Sequence, residues 1–415
     1  MKKILVIVDS IDVNDSSGSK TNVAFINSLY KCGYEVTVLH YTQRDIKLNN
    51  INCISIKEKK ITLNYLFSRA HRLLLRWFQL DISKYVDSIF GFSFGFFNDV
   101  YSLSTALKKF NPNDFDMLWT FGKGTSFRAH AAVLKNPTWF QIWHAYVHDP
   151  YPQHLYPRPY NFVEYGFMQK RLFFRDITEN AFRIIFPSLL LKEWMQSYFK
   201  DVIGKSLIIP HQIMEHESNK ISFPPFFNSS NFNILLAGNL LDLRNPLPLV
   251  EAYKKFIEEI PQAKIKSTLI IIGKNSIYNN ALKNEQQYIP QLYISDGHMN
   301  FDEVYYLQQN ASVNIILEAT SEISPFLPGK FPHCVAANKP ILVIGPFISE
   351  CKRLLGKDYP FIFENEDIEG IKNAFKTLFH QWSINNTKMT LHRKDLDYYL
   401  SSGYLLEVLE KDLKS

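Results

Sequence analysis

The chain is 415 residues long, with 46% hydrophobic, 15% aromatic and 21% charged residues, a length that suggests two to three domains at about 100–200 residues each. An apolar content this high with modest net charge excludes a disordered chain. The excess of 46 basic over 40 acidic residues, +6, suits anionic ligands or a membrane surface but is too diffuse for a nucleic-acid binder.

Lys2-Lys3 followed by Ile4 to Val8 resembles the start of a signal peptide, but the apolar run is too short and ends at Asp9. It is expected to be a buried first strand. A polar loop over 9–21 follows. The apolar spacing Val23, Ile26, Leu29, Tyr30 predicts a helix over 22–32, stopped by Gly33. Residues 34–40 form the next strand and complete a βαβ unit, the seed of a parallel sheet. Residues 61–110 interrupt this series with Arg69, Arg72 and Arg76 set among Leu, Phe and Trp. Such a basic amphipathic segment either lies in a membrane interface, through residues 65–80, or packs its apolar face on its own domain. The second use is the commoner one. Further strands of the first sheet are predicted at 114–120, 138–143 and 183–187.

Residues 214–231 are polar, Pro-containing and aperiodic, and read as a linker. A second series begins with a strand at 232–237 and a helix at 247–259, then strands at 267–272, 292–295, 313–317 and 340–344. The last segment, 386–415, reads as helical and charged, able to pack back on the first domain. The expected architecture is α/β, with doubly wound parallel-sheet domains at 1–215 and 228–385. Four scattered cysteines, Cys32, Cys53, Cys334 and Cys351, fit a reducing compartment. With no run near the roughly 20 apolar residues needed to cross a bilayer, a cytoplasmic chain, free or peripheral at the inner face of the membrane, is expected.

Ligands of open α/β sheets bind beyond the carboxyl ends of the strands, so the loops after strands carry the candidates. In Ser16-Ser17-Gly18-Ser19, Gly18 would admit a phosphate or sugar to the backbone near a helix start. The loop lacks GxGxxG, and the second strand ends at His40 rather than an acid, which argues against a dinucleotide site. Gly122-Lys123-Gly124 reads either as an anion site or as a helix-start turn with an exposed lysine. Residues 143–151 gather His144, His148, Asp149 and Tyr151: His144 or Asp149 would orient a hydroxyl acceptor, and the aromatics would stack on a sugar. A metal at His144 and His148 would need a helix and a third ligand. Gly238 and Asn239 end the strand at 232–237, and Arg244 near the next helix is suited to bidentate binding of a diphosphate. Lys330, followed by Phe331 and His333, would supply a second cation.

At this point the sequence resembles the retaining family 4 of GT-B glycosyltransferases. FNILLAGNLLDLRNPLPLVEAYKKF is similar to that family's opening of the nucleotide domain. SPFLPGKFPHCVAANKPILVIG resembles a subgroup whose loop reads SPxLPxK. AFRIIFPS resembles the strand ending the first domain, and YVHDPY an Arg-Asp-Pro-Trp element, with His148 and Tyr151 substituted. The resemblance implies two Rossmann-like domains facing across a cleft. It further implies sugar transfer from a nucleotide-diphosphate donor to a hydroxyl of a surface glycan or lipid-linked saccharide, with retention and no metal or other cofactor. Donor binding would fall to Gly18, Gly238, Asn239, Arg244, Lys330, Phe331 and His333, and acceptor binding to Lys123, His148 and Tyr151. Arg244 and Lys330 would stabilise the leaving diphosphate, and Asp149 or His144 would serve the acceptor. The family's usual pair of glutamates falls on Pro325 and His333 here, which keeps two other readings open: a donor-binding partner without turnover, and a sugar-nucleotide epimerase.

Overall fold

Continuous apolar runs become the buried central strands. Ile4 to Val8 and Phe232 to Ala237 are buried throughout, as strands covered on both faces must be. The computed structural model describes residues 1–214, 222–274, 277–297, 299–385 and 389–413. They fall into two units, one of 1–156, 161–212 and 401–413, the other of 157–160 and the rest of 213–400.

The first unit holds seven strands: β1 (Lys3–Val8), β2 (Glu35–His40), β3 (Asn52–Ser55), β4 (Met117–Phe121), β5 (Trp143–Tyr146), β6 (Arg183–Phe186) and β7 (Ser206–Ile208). They form one parallel sheet in the order β3-β2-β1-β4-β5-β6-β7. The order reverses between β1 and β4, a topological switch point of the kind where such sheets bind ligands. Helix α1 (Ser17–Lys31) starts before the predicted residue 22, because the Ser16 hydroxyl accepts the Ser19 amide at 3.1 Å and caps it there. The strand expected at 138–143 is corrected: residues 137–142 form a 3-10 turn opened by Pro137, and β5 follows at Trp143.

The insertion consists of α2 (Leu63–Phe78), α3 (Ser83–Phe90) and α4 (Phe94–Leu107). Helix α4 buries Val100, Leu103 and Leu107. Helix α2 does not follow the commoner expectation that its apolar face packs on its own domain, since every one of its residues is at least partly exposed. Two more helices of this unit matter below, α5 (Arg128–Leu134) and α6 (Phe167–Asn180).

The second unit has a six-stranded parallel sheet made of β8 (Phe232–Ala237), β9 (Ser267–Ile272), β10 (Leu292–Ile294), β11 (Val313–Leu317), β13 (Ile341–Ile344) and β15 (Ile362–Phe363), in the order β10-β9-β8-β11-β13-β15. A two-strand ladder, β12 (Ile323–Ser324) with β14 (Ile348–Ser349), stands beside it. Here the order reverses between β8 and β11. Of the predicted linker, 215–221 lie outside the described residues. The rest is corrected, because Phe227 is buried with Leu235 and Ile270, and Phe226 stacks on Tyr293 with ring centres 3.7 Å apart. The predicted terminal segment divides. Leu396 and Leu400 join the core of the second unit. The helix Ser402–Asp412 belongs to the first unit, where Asp412 pairs with Arg183 at 2.6 Å.

Candidate functional site

In the second unit the switch point lies where β8 and β11 end. Gly238 leaves β8 with φ of +142°, a conformation that side chains other than hydrogen resist. Lys330 fills the space a side chain would take: its Nζ would lie 3.2 Å from a Cβ at Gly238, and it donates to the Ala237 carbonyl at 2.9 Å. Arg244 reaches the same stretch of backbone, with Nη1 3.4 Å from the Asn239 carbonyl. A turn closed by the Arg244 amide on the Leu241 carbonyl at 2.7 Å, and a bond from the Thr320 amide to the Leu243 carbonyl at 2.8 Å, hold this loop against the one after β11. Two cations contributed by different loops therefore meet at residues 237–239.

Their electrostatics are uneven. Burial first, and then repulsion from Arg244, hold the Lys330 ammonium down at about 8 from an ordinary 10.5. Among the described residues the buried Nε–H of Arg244 has no hydrogen-bond partner, a donor left over for an acceptor. Glu318, a buried acid at the end of β11, has a pKa held above its ordinary value, with burial the largest influence. Burial raises its pKa, while hydroxyl donation from Ser349 and Ser324 and the positive fields of Lys352 and Arg244 lower it. Gly345 is needed beside it, since a Cβ there would come within 2.7 Å of the carboxylate.

Several expected donor contacts have other engagements in the structure. Phe331 is fully buried in the core, and its amide donates to the Pro328 carbonyl at 2.8 Å. Pro332 has no N–H to offer, so the short helix Phe331–Ala336 brings few amides to an anion. His333 is buried, its ring packed edge-on to Phe301 and Tyr305. Asn239 spends its side-chain oxygen on the Lys274 amide at 3.3 Å.

In the first unit, Gly18 serves packing: a Cβ there would sit 3.2 Å from the Gly124 amide nitrogen, so the glycine lets the loop after β4 approach α1. Asn22 ties this region together, donating to the Gly122 carbonyl at 2.9 Å and meeting His148 Nε2 at 2.9 Å. His144 and Tyr151, expected on the acceptor side, are both buried. His144 is buried, stacked on Trp119 with its Nδ1 3.0 Å from the Ile142 carbonyl, and Tyr151 packs in the core against Phe127. His148 is also buried, and burial holds the His144 and His148 imidazoles neutral, at about 4 and about 3. Asp149, which follows them, is only half-buried. Among the described residues no group of three His, Cys, Asp or Glu side chains could hold a metal ion.

Lys123 borders a cavity of about 560 Å³ at the switch point of this sheet, with Asp9, Asp15, Tyr41, Arg44 and Arg128. Lys123 pairs with Asp15 at 2.6 Å. Arg128 pairs with Asp99 at 2.7 Å, and Tyr41 donates to the same carboxylate at 2.8 Å. Asp9 accepts from the Ser126 hydroxyl, and burial pushes its carboxyl up to about 6 against the pull of Arg128. Sequence reasoning passed over Asp9, Glu318 and Arg128. The available signal for the first two was an acid directly after a strand.

No protein-family model matches the chain, and no curated protein matches it. Solved structures do. An E. coli trehalose-6-phosphate synthase bound with UDP-2-fluoro glucose aligns over 100% of this chain and 99% of its own, at 13% identity and a TM-score of 0.61. A UDP-forming alpha,alpha-trehalose-phosphate synthase from Burkholderia xenovorans in complex with glucose-6-phosphate aligns over 100% of both chains, at 10% identity and a TM-score of 0.62. A glycosyltransferase from Rickettsia africae ESF-5 aligns over 100% of this chain and 97% of its own, at 11% identity and a TM-score of 0.58. With the two parallel-sheet units, these likenesses give the chain the GT-B fold.

Proposed function

We propose that the protein is a metal-independent glycosyltransferase. It moves a sugar, with retention at the anomeric carbon, from a nucleotide-diphosphate donor to a hydroxyl of a glycan or lipid-linked saccharide on the cytoplasmic side of a membrane. The observation that carries this reading is the convergence of Lys330 and Arg244 on the residues leaving β8. As the bond from the anomeric carbon to the diphosphate oxygen breaks, negative charge grows on the leaving group, and donors already in place stabilise it without reorganising. Arg244 offers a planar fork with a spare Nε–H. Lys330 offers a compact charge that a bound phosphate would keep protonated.

The acceptor oxygen bonds to the anomeric carbon on the face the diphosphate vacates, and its proton passes to the departing phosphate oxygen. Asp149 orients that hydroxyl, and Lys123 belongs to the acceptor side. A nucleotide-sugar analogue and a sugar phosphate bound in proteins of the same fold support this class of donor and a hydroxylated acceptor. A donor-binding subunit without turnover is the second reading, favoured by the packed His333 and by Pro325 at the positions of the family's usual glutamates.

One assay separates them. Purified protein is incubated with a panel of nucleotide sugars, with and without saccharide acceptors. Acceptor-dependent release of nucleoside diphosphate supports transfer. Thermal stabilisation by donor without release supports the binding subunit, and release or stabilisation unaltered in Arg244→Ala removes the arginine from its role.

A further inference from the structure

Helix α2 reverses the usual disposition of a surface helix. Leu63, Leu66, Leu73 and Trp77 fall along one stripe, and all are exposed, Trp77 and the neighbouring Phe78 each to 70%. The side toward α4 is mixed: the Ser68 hydroxyl would lie 3.5 Å from a Cβ at Gly95, and Phe67 packs on Phe94. The apolar stripe therefore faces away from the unit to which the helix is attached.

The patch continues beyond one helix. On α3, Tyr85, Ile89 and Phe90 are exposed, as are Phe167 and Met168 at the start of α6. Phe67 and Phe90 both pack on Phe94, with ring centres at 5.2 and 6.0 Å. Gln169 of α6 donates to the Ser88 and Ile89 carbonyls at 2.9 and 3.3 Å. Three neighbouring helices thus expose large apolar side chains together, as interaction sites do.

Charge selects the occupant. Helix α2 carries Arg72 and Arg76, with Arg69 paired to Glu58 at 3.7 Å, and no acidic residue, and the start of α6 adds the exposed Arg171. A second copy seated on the same face by two-fold symmetry would bring arginines against arginines. An anionic headgroup layer meets both demands at once, because leucine and aromatic side chains enter the headgroup–acyl boundary while the guanidinium groups pair with lipid phosphates. We propose that α2, α3 and the start of α6 seat the first unit on an anionic membrane surface. The inference stands apart from sugar transfer, since a chain that only binds donor would dock the same way; combined with transfer, it brings the enzyme to acceptors carried on lipid.

The test is co-sedimentation of the full chain with vesicles of phosphatidylcholine alone or mixed in equal parts with phosphatidylglycerol. Binding to the mixed vesicles is expected, weaker by at least about tenfold on phosphatidylcholine or in high salt. Leu73→Gln with Trp77→Gln should lower it by about tenfold or more, and Arg72→Glu with Arg76→Glu should remove the preference for the anionic lipid. Both double variants should keep the wild-type melting temperature and donor-induced stabilisation, because these side chains are exposed and lie outside the donor site. Absence of binding to the mixed vesicles, or binding unchanged in the double variants, overturns the proposal. Self-association that Trp77→Gln abolishes would assign the face to a second copy and overturn it equally. Vesicle binding without turnover would leave the membrane proposal standing while the transferase reading fails.

Discussion

Raising the pH should loosen a nucleoside diphosphate from this protein, because the cation nearest the β8 exit titrates within reach. With Lys330 held at about 8, its ammonium is about 90% charged at pH 7 and about 10% charged at pH 9. A phosphate oxygen against Nζ favours the charged form, so each pH unit above 8 costs up to about 1.4 kcal/mol, or about tenfold in Kd. The terminal phosphate of the ligand titrates near about pH 6, below the range probed, and interferes little. Stability of the free protein runs the other way. The folded pKa lies below the ordinary 10.5, so between about 8 and 10.5 the unfolded chain binds more protons and this group's contribution rises with pH. Isothermal titration of UDP and GDP from pH 7 to 9.5, in buffers of different ionisation enthalpy, reads both the affinity and the proton taken up. The expected result is falling affinity with close to one proton absorbed near pH 9, and loss of that slope in Lys330→Met. A flat affinity, or a slope surviving in Lys330→Met, would refute the assignment.

Three further outcomes follow from the same geometry. Arg244→Ala should weaken diphosphate binding by about 1.5–3 kcal/mol, the range for hydrogen bonds to a charged group; Arg244→Lys should recover only part, since the ammonium lacks the fork, and titration calorimetry reads both. Gly238→Ala forces a side chain into φ of +142° beside the Lys330 ammonium, so a loss of about 1–3 kcal/mol in denaturant melts should accompany weaker donor binding; unchanged stability would contradict the strained exit. The Asp9 carboxyl, held at about 6 above its ordinary 3.8, makes the folded chain bind the extra proton between those values. Its contribution to stability therefore falls as pH rises through that window, and Asp9→Asn should remove that component from a pH series of urea melts.

Legibility in the sequence followed burial. Phe232–Ala237, Ser267–Ile272 and Val313–Leu317 stand where their apolar runs predicted, because a central strand covered on both faces admits little else. Edge strands β3 and β7 were not predicted: their residues are only partly buried or exposed and carry no continuous apolar signal. The 138–143 segment misled because the aromatic pair Trp139 and Phe140, of which only Trp139 is buried, looks the same in a 3-10 turn as in a strand. For the candidate site, Arg244 and Lys330 stand in the sequence directly after or near strand ends, and the structure brings both to the residues leaving β8. The burial of His144, Tyr151 and Phe331 was not legible, since a polar or aromatic residue beside a strand end faces inward or outward according to a pleat that sequence alone does not orient. Asp9 and Glu318 escaped notice because their partners, Ser126 and Arg128 for one, Ser324 and Ser349 for the other, come from distant segments.

A crystal structure with a bound nucleoside diphosphate decides whether Lys330 and Arg244 grip the leaving group. Phosphate oxygens are expected within hydrogen-bonding distance of both Lys330 Nζ and the Arg244 guanidinium, over the Ala237–Asn239 backbone. Phosphates bound elsewhere, with Lys330 still donating only to the Ala237 carbonyl, would contradict that grip.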